Sequence, residues 1–288
     1  MKKTGTVVLK IMPEQNQQKK QLKSATNIIS KNDVMAELQE RIKRHTLTDE
    51  EKQKIRDEIE KEDAELAKRA LNADRNHQLN KIFSNSMINK KLENASFENY
   101  HADNEENTRA FAICRRYAET FSLKQARSLL LTGSYGVGKS HLAASIMRAI
   151  SEIDIVLKKD DDRDVILKSR KPTMIFINTP KLLTKIRSSF SKTSEFTEAD
   201  LLNEIESVDL LVLDDFGSEI KDSNNDFAVQ KIFEIVEGRV GKHTIYTTNF
   251  NVDELFNFYG ERNFSRVMED ANLIQMTGEN YRLRGFKK

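Results

Sequence analysis

The sequence predicts an α/β protein, in which a phosphate-binding domain with a parallel β-sheet flanked by helices follows a small helical N-terminal region. Apolar segments of strand length, at residues 128–131, 173–177, 208–213 and 243–247, alternate with helix-like segments. This alternation is typical of a parallel sheet with helices on both faces. Residues 1–91 differ, because they are rich in Lys, Glu, Gln and Asn and contain one Pro and one Gly. We therefore expect a helical, partly extended region at 1–91 and the phosphate-binding domain at 92–288.

The N-terminal region contains two predicted helices. Asn32 and Asp33 are suited to cap a first helix, and residues 48–51 (Thr-Asp-Glu-Glu) form a capping box that opens a longer one. The longer helix has a narrow apolar stripe, which consists of Ile55, Ile59, Leu66 and Leu71. Two such helices either form a small hairpin that docks on a partner or act as a solvated coiled-coil spacer.

A complete phosphate loop follows the first apolar segment. Residues 133–140 match the pattern G-x-x-x-x-G-K-[ST] and lie between a predicted strand and a predicted helix. Its glycines allow the backbone to bend, so that successive N–H groups and the helix N-terminus point at one phosphate. Lys139 would neutralise the terminal phosphates, and the hydroxyl of Ser140 would ligate Mg²⁺. The expected nucleotide-contacting residues are Gly133, Ser134, Tyr135, Gly136, Val137, Gly138, Lys139, Ser140 and His141.

Two carboxylates, Asp214 and Asp215, follow the third apolar segment. Asp214 would hold the metal with its water shell, and Asp215 would orient or deprotonate an attacking water, as phosphoryl transfer to water requires. Asn249 ends the fourth strand, where its amide would hold the same water. The alternative for the acidic pair is a buried strand that ends in a solvated turn.

Two arginines, Arg262 and Arg266, lie four residues apart on one face of a predicted helix. Arginine near a nucleotide site acts as a finger that stabilises the transferring phosphate, either in cis or from a neighbouring subunit. A solvated helix face is the alternative interpretation of this pair.

The order of these motifs resembles that of AAA+ ATPases, and specifically that of the DnaC/DnaI-type replicative helicase loaders and their relative IstB, a transposition helper. The resemblance covers residues 92–284 and rests on segments 95–100, 133–140, 209–219, 247–249, 260–266 and 281–284. It implies that Asn249 is the sensor 1 residue, Arg266 the arginine finger and Arg282 the sensor 2 arginine. The pair Asp214–Asp215 departs from the more common Asp-Glu, which affects the expected hydrolysis rate and not nucleotide binding.

A further segment, residues 179–192, resembles the helical insertion with which helicase loaders contact single-stranded DNA. Lys185 and Arg187 supply positive charge, and Phe190 supplies an aromatic face for base stacking. The alternative is an amphipathic helix that packs on the sheet through a stripe of Leu182, Leu183, Ile186 and Phe190.

The composition limits the class of protein. The net charge of +2 is nearly balanced, so any contact with DNA must come from local patches. The single cysteine, Cys114, excludes an internal disulfide and a multi-cysteine zinc site. Since no apolar run approaches the ~18 residues of a membrane span, we expect a soluble, cytoplasmic protein.

The resemblance implies an ATPase that uses ATP and Mg²⁺, self-associates through its AAA+ domains, and loads a DnaB-type replicative helicase onto single-stranded DNA. Two other functions stay open at this point. One is an IstB-like ATP-dependent transposition helper that binds duplex DNA. The other is a helicase adaptor that senses ATP without hydrolysing it.

Overall fold

The computed structural model describes residues 48–82, 90–160, 165–220 and 226–285 of the chain. The chain divides into two compact units, Met1–Ile59 and Glu60–Lys288. The first unit is described only from residue 48 onward. The first predicted helix, with its cap at Asn32 and Asp33, lies outside the described residues.

The long N-terminal helix α1 spans Asp49–Ile82. The predicted capping box is present, because the Glu51 amide donates to Thr48 Oγ1 at 3.3 Å and the Thr48 amide donates to Glu51 Oε2 at 2.9 Å. In its C-terminal half, Lys68 forms an ion pair of 2.7 Å with Asp154. The helix therefore starts where its sequence predicts. Its residues from Glu60 onward belong to the second unit, within which the ion pair of Lys68 lies.

The second unit is built on a five-stranded parallel sheet with the strand order β4-β5-β6-β1-β7. Its strands are β1 (Ser128–Gly133), β4 (Met174–Asn178), β5 (Leu210–Asp214), β6 (His243–Thr248) and β7 (Ala271–Met276). Four of them coincide with the predicted apolar segments. Parallel strands that are covered on both faces have continuous apolar runs, as β1, β4 and β5 do.

Helices cover both faces of this sheet, as predicted. They are α2 (Glu105–Glu119), α3 (Lys139–Ser151), α4 (Thr179–Ser189), α5 (Glu198–Ser207), α6 (Asp226–Gly238) and α7 (Val252–Met268). Successive side chains of a strand point to opposite faces. Accordingly, Leu130 packs with α4 to α7 in one core cluster, whereas Leu129 and Leu131 pack with α2 and α3 in the other.

An antiparallel hairpin interrupts the alternation of parallel strands and helices. It consists of β2 (Ile155–Asp160) and β3 (Val165–Arg170). The sequence predicted no strand in this part of the chain. Each strand has only three consecutive apolar residues, 155–157 and 165–167, before its first lysine, and so short a run does not by itself indicate a strand.

Helix α7 contains both predicted arginines, Arg262 and Arg266, but it is not continuous. Gly260 has φ 74° and ψ 164°, which breaks the helix into two segments. The short helical turns of the second unit are Lys90–Leu92, Phe97–Asn99, Ser218–Ile220 and Tyr281–Leu283. None of the helices in the described ranges combines the length and the apolar character needed to cross a membrane.

Candidate nucleotide-binding site

The polar residues singled out by the sequence meet where the central strands end. Asn178, Asp214 and Gly133 are the last residues of β4, β5 and β1, and Asn249 directly follows β6. These four strands are neighbours in the sheet and run in the same direction. Ligands of open parallel sheets bind outside the carboxyl ends of the strands. The topology therefore assembles one polar site from four separate segments.

The phosphate loop connects β1 to the first residue of α3, Lys139. Gly138 has φ 101° and a Cβ there would approach a ring carbon of Tyr100 to 2.7 Å, so only glycine fits. Gly136 has φ 76°, and a Cβ at this position would overlap the side chain of Asn280. The free amides at the start of α3 and its macrodipole favour an anion at this point.

Lys139 is 6% exposed and points into the loop. Its ammonium donates hydrogen bonds to the carbonyls of Gly133 at 2.8 Å and Ser134 at 2.7 Å, and to Oδ1 of Asn249 at 2.8 Å. Burial lowers the pKa of Lys139 to about 8, although the nearby carboxylates of Asp214 and Asp215 act in the opposite direction. A bound anionic phosphate would favour the charged form of this buried ammonium. The lowered pKa of Lys139 therefore fits a site that binds phosphate.

The carboxylate of Asp214 lies between two hydroxyl groups. Ser140 Oγ and Thr247 Oγ1 each donate to Asp214 Oδ1 at 2.6 Å. Burial raises the pKa of Asp214, although the hydrogen bonds from Ser140 and Thr247 and the charge of Lys139 act in the opposite direction. Carboxylate and hydroxyl oxygens are hard ligands suited to Mg²⁺, which keeps several waters and also binds substrate phosphates. Ser140 and Asp214 therefore fit the predicted metal site.

Asp215 adopts a strained backbone conformation beside this site. With φ 56° it has the left-handed conformation, and it is the only residue other than glycine to do so in the described part of the chain. Its carboxylate accepts hydrogen bonds from Nδ2 of Asn178 at 2.9 Å and from Nδ2 of Asn249 at 3.3 Å. Backbone strain of this kind concentrates at functional sites, where the surrounding structure holds the residue in place. The two amides fix the direction in which the carboxylate points.

Asn178 is a candidate functional residue that the sequence analysis missed. Its amide nitrogen holds Asp215, and its Oδ1 caps α4 by accepting from the Lys181 amide at 3.3 Å. Thr247 was missed as well, although it bonds both Asp214 and the amide of Asp215. The sequence showed only that Asn178 is a polar residue at the end of an apolar segment. The structure adds that this segment, β4, pairs with β5 so that Asn178 lies beside Asp214.

The C-terminal segment returns to the phosphate loop, as the sequence analysis expected. The Tyr281 amide donates to the carbonyl of Gly136 at 3.1 Å, and Ser134 Oγ donates to the carbonyl of Gly278 at 3.4 Å. Burial is the main cause of the lowered pKa of Lys139, and the charge of Arg282 on this segment acts in the same direction. Two other predicted contact residues lie nearby. Tyr135 of the loop is exposed, and Nε2 of His141, in the first turn of α3, lies 3.0 Å from the carbonyl oxygen of Ser96.

Arg266 lies elsewhere in this chain. Its Nε is 2.8 Å from Oε1 of Glu237, and its Nη1 is 2.9 Å from Oε2 of Glu269. It lines a small cavity with Ser128, the first residue of β1. Arg266 is therefore near the amino-terminal end of β1, whereas the phosphate loop follows the carboxyl end of this strand. Arg262 lies over the ring of Phe233 with 5.0 Å between guanidinium carbon and ring centre.

The three candidate DNA-binding residues lie on α4 or at its end, outside the nucleotide site. Leu182, Leu183 and Ile186 are buried and form the stripe that packs on the sheet. Phe190, in contrast, is 55% exposed. The amphipathic alternative thus accounts for the first three residues of the stripe and leaves the ring of Phe190 at the surface, where Arg187 also lies.

Comparisons with known proteins agree with the resemblance noted from the motifs. No family model matches the chain. The replicative helicase loader DnaC of Escherichia coli K12 is 27% identical over 209 residues, which cover 72% of this chain and 76% of DnaC. DnaC of Buchnera aphidicola subsp. Schizaphis graminum is 27% identical over 203 residues, or 70% of this chain and 74% of that protein.

Solved structures show the same relationship. A crystal structure of the DnaC helicase loader superimposes with a TM-score of 0.52 at 25% identity, over 65% of this chain and 99% of that chain. AMPPCP-bound DnaA from Aquifex aeolicus gives a TM-score of 0.50 at 19% identity, over 68% of this chain and 54% of that chain, and so supports the fold alone. The second unit therefore has the AAA+ fold, and the chain is similar in sequence and in structure to the replicative helicase loader DnaC.

Proposed function

We propose that this protein is an ATP-dependent loader that places a DnaB-type replicative helicase on single-stranded DNA. The observation that carries the proposal is the similarity to DnaC over 209 residues, which cover 72% of this chain. The geometry at the strand ends supports the ATP-dependent part. The proposal assigns residues 1–91 to helicase binding and residues 92–288 to the ATPase domain.

The residues of the site have distinct tasks in this proposal. The loop amides and Lys139 bind the phosphates, and Ser140 with Asp214 would hold Mg²⁺, which when bound neutralises charge on the β- and γ-phosphates. Asp215 orients the attacking water and accepts its proton. Arg282 adds positive charge on the side of the C-terminal segment.

Asn249 is suited to sense the terminal phosphate. It bridges the site, because its Oδ1 accepts from Lys139 while its Nδ2 donates to Asp215. The three hydrogen bonds of the Lys139 ammonium use all three of its donors, so a bound phosphate must replace at least one acceptor. If the phosphate replaces Asn249 as an acceptor of Lys139, the side-chain amide of Asn249 becomes free to turn together with the carboxylate of Asp215. Hydrolysis, which removes the phosphate, would restore the original bond and reset the site.

Arg266 is proposed as an arginine finger that acts on a neighbouring protomer. Within one chain Arg266 pairs with the carboxylates of Glu237 and Glu269. On assembly its guanidinium would leave these carboxylates and contact a phosphate of the ATP bound to the neighbouring protomer. Both pairs are exposed to solvent and therefore contribute little to stability, so the exchange is not costly. ATP in one protomer would thereby stabilise contact with the next.

The decisive experiment tests the partner. The full chain is mixed with a purified DnaB-type helicase, with ATP and without it, and the mass of the complex is measured by size exclusion with light scattering. We expect a discrete complex that is lost when residues 1–90 are deleted. If no complex forms under any nucleotide condition and duplex DNA instead drives assembly, the loader proposal is refuted in favour of the transposition helper.

A further inference from the structure

The exposed ring of Phe190 belongs to a small aromatic cluster whose other ring comes from α6. Phe190 caps the C-terminus of α4, and its ring centre lies 6.0 Å from that of Phe227 at an interplanar angle of 84°. Such a perpendicular pair is a favoured arrangement, because the positive edge of one ring meets the negative face of the other. It leaves at least one face of each ring outside the contact. Since Phe190 is 55% exposed, a ring face is accessible to a ligand.

Arg187 contacts the same aromatic residue. Its guanidinium carbon lies 5.0 Å from the ring centre of Phe227, within the range of a cation–π interaction. Arg187 and Phe190 are three residues apart, so they are neighbours at the last turn of α4. Phe227 therefore contacts both side chains that the sequence analysis assigned to DNA.

Phe227 is suited to hold these side chains in place because it is fixed itself. It is the second residue of α6 and is half-buried against the core cluster that includes Leu182 and Ile186 of α4. An isolated aromatic side chain at a helix end would sample several rotamers. Contact with an anchored ring reduces this freedom, and the entropy loss on binding a ligand becomes smaller.

The combination of an open ring face and adjacent cations selects a ligand class. Single-stranded nucleic acids are held by cations along the phosphates and by aromatic rings on which bases stack. A duplex does not offer base faces, because its bases are stacked on one another. We propose that Phe227 is a positioning residue of a base-stacking site, in which Phe190 contacts an unpaired base and Arg187 contacts the adjoining phosphate. This inference rests on the proposed binding of single-stranded DNA by Phe190 and Arg187, and adds to it the residue that positions both side chains.

The test compares two oligonucleotides of the same length and charge. One is a fluorescein-labelled oligo-dT, and the other is a labelled strand that is abasic at every position. Binding to the full chain with ATP is measured by fluorescence anisotropy. The unsubstituted protein should bind the abasic strand about 5- to 150-fold more weakly, which corresponds to the loss of one stacked base.

Four variants separate positioning from general destabilisation. Phe190→Leu and Phe227→Leu should both lose affinity for oligo-dT and bind the abasic strand as the unsubstituted protein does. Phe227→Tyr keeps the ring and should restore binding. Phe256→Leu is a matched control, because Phe256 is 44% exposed and also forms a perpendicular pair, with Phe264. Melting temperatures of all four verify that they are folded.

Each result supports or overturns a specific statement. If Phe227→Leu binds oligo-dT as the unsubstituted protein does, Phe227 has no positioning role. If both strands bind equally well, the stacking site is wrong while single-strand binding stands. If neither strand binds, the proposed function itself fails. Because Phe190 is at the surface, Phe190→Leu tests the stacking site even if Phe227→Leu unfolds the protein. In that case Phe227→Met, which removes the ring at similar volume, tests the positioning role, and binding of oligo-dT equal to that of the unsubstituted protein would overturn it.

Discussion

Raising the pH should weaken ATP binding through the deprotonation of Lys139. In the nucleotide-free chain, burial lowers the pKa of this ammonium to about 8. An adjacent polyanionic phosphate favours the charged form and should return the pKa to its usual range near 10.5. Binding is then coupled to proton uptake, because the bound state holds the proton at pH values where the free state has partly lost it.

The extent of this uptake follows from the two pKa values. With a free pKa of about 8, Lys139 is about 90% protonated at pH 7, half protonated at pH 8 and about 10% protonated at pH 9. ATP binding should therefore take up about 0.1, 0.5 and 0.9 protons at these pH values. The affinity, which is proportional to the protonated fraction of the free chain, should be about tenfold lower at pH 9 than at pH 7.

Isothermal titration calorimetry in buffers of different protonation enthalpy measures this uptake directly, because the apparent enthalpy changes linearly with that of the buffer. Lys124→Ala is a matched control, since Lys124 is exposed and its loss should leave the uptake unchanged. An uptake near zero at both pH 8 and pH 9 would refute the reasoning. It would mean either that Lys139 is fully charged before ATP binds or that it does not face the phosphates.

Three further predictions concern catalysis and stability. Asn178→Ala should reduce kcat for ATP hydrolysis about tenfold to hundredfold with unchanged ATP affinity, because a misdirected Asp215 no longer orients water; a parallel loss of affinity would contradict this role. Arg266→Ala should bind ATP normally and lose about 10³-fold in turnover under assembly conditions, so normal turnover would exclude a finger. Burial raises the pKa of Glu219 to about 7, despite a hydrogen bond from Tyr259. Because this folded-state pKa exceeds the unfolded value near 4.5, the stability that the protonated carboxyl provides is lost as pH rises between these values. Urea denaturation should show a loss of about 2 kcal/mol between pH 5.5 and pH 8 that Glu219→Gln lacks, and equal losses in both proteins would exclude Glu219 as its source.

Some elements of this protein are readable from sequence because their signal is local. The strands 128–131 and 208–213 are continuous apolar runs, since parallel strands are covered on both faces. The phosphate loop is readable because its backbone needs glycine at fixed spacing. The capping box at Thr48 is confirmed for the same reason, as all its hydrogen bonds join residues three apart.

Other features were not predictable, because they depend on how distant segments meet. The hairpin β2–β3 has no apolar periodicity, so its strands are visible only as paired backbone. Asn178 became a candidate only when the sheet placed its strand in register with β5. Phe227 lies 37 positions after Phe190 and carries no motif, and only the contact of α6 with the end of α4 joins the two rings.

The sequence by itself determined the fold class, the phosphate loop and the order of the acidic pair and Asn249 along the chain. Each of these follows from chemistry within a few consecutive residues. The tertiary structure alone decided which side chains share a hydrogen bond, namely that Asn249 joins Lys139 to Asp215 and that Asn178 holds the same carboxylate. The reason is that the strand order β4-β5-β6-β1 differs from the order along the chain, so these neighbours in the site are separated by 34 to 110 positions.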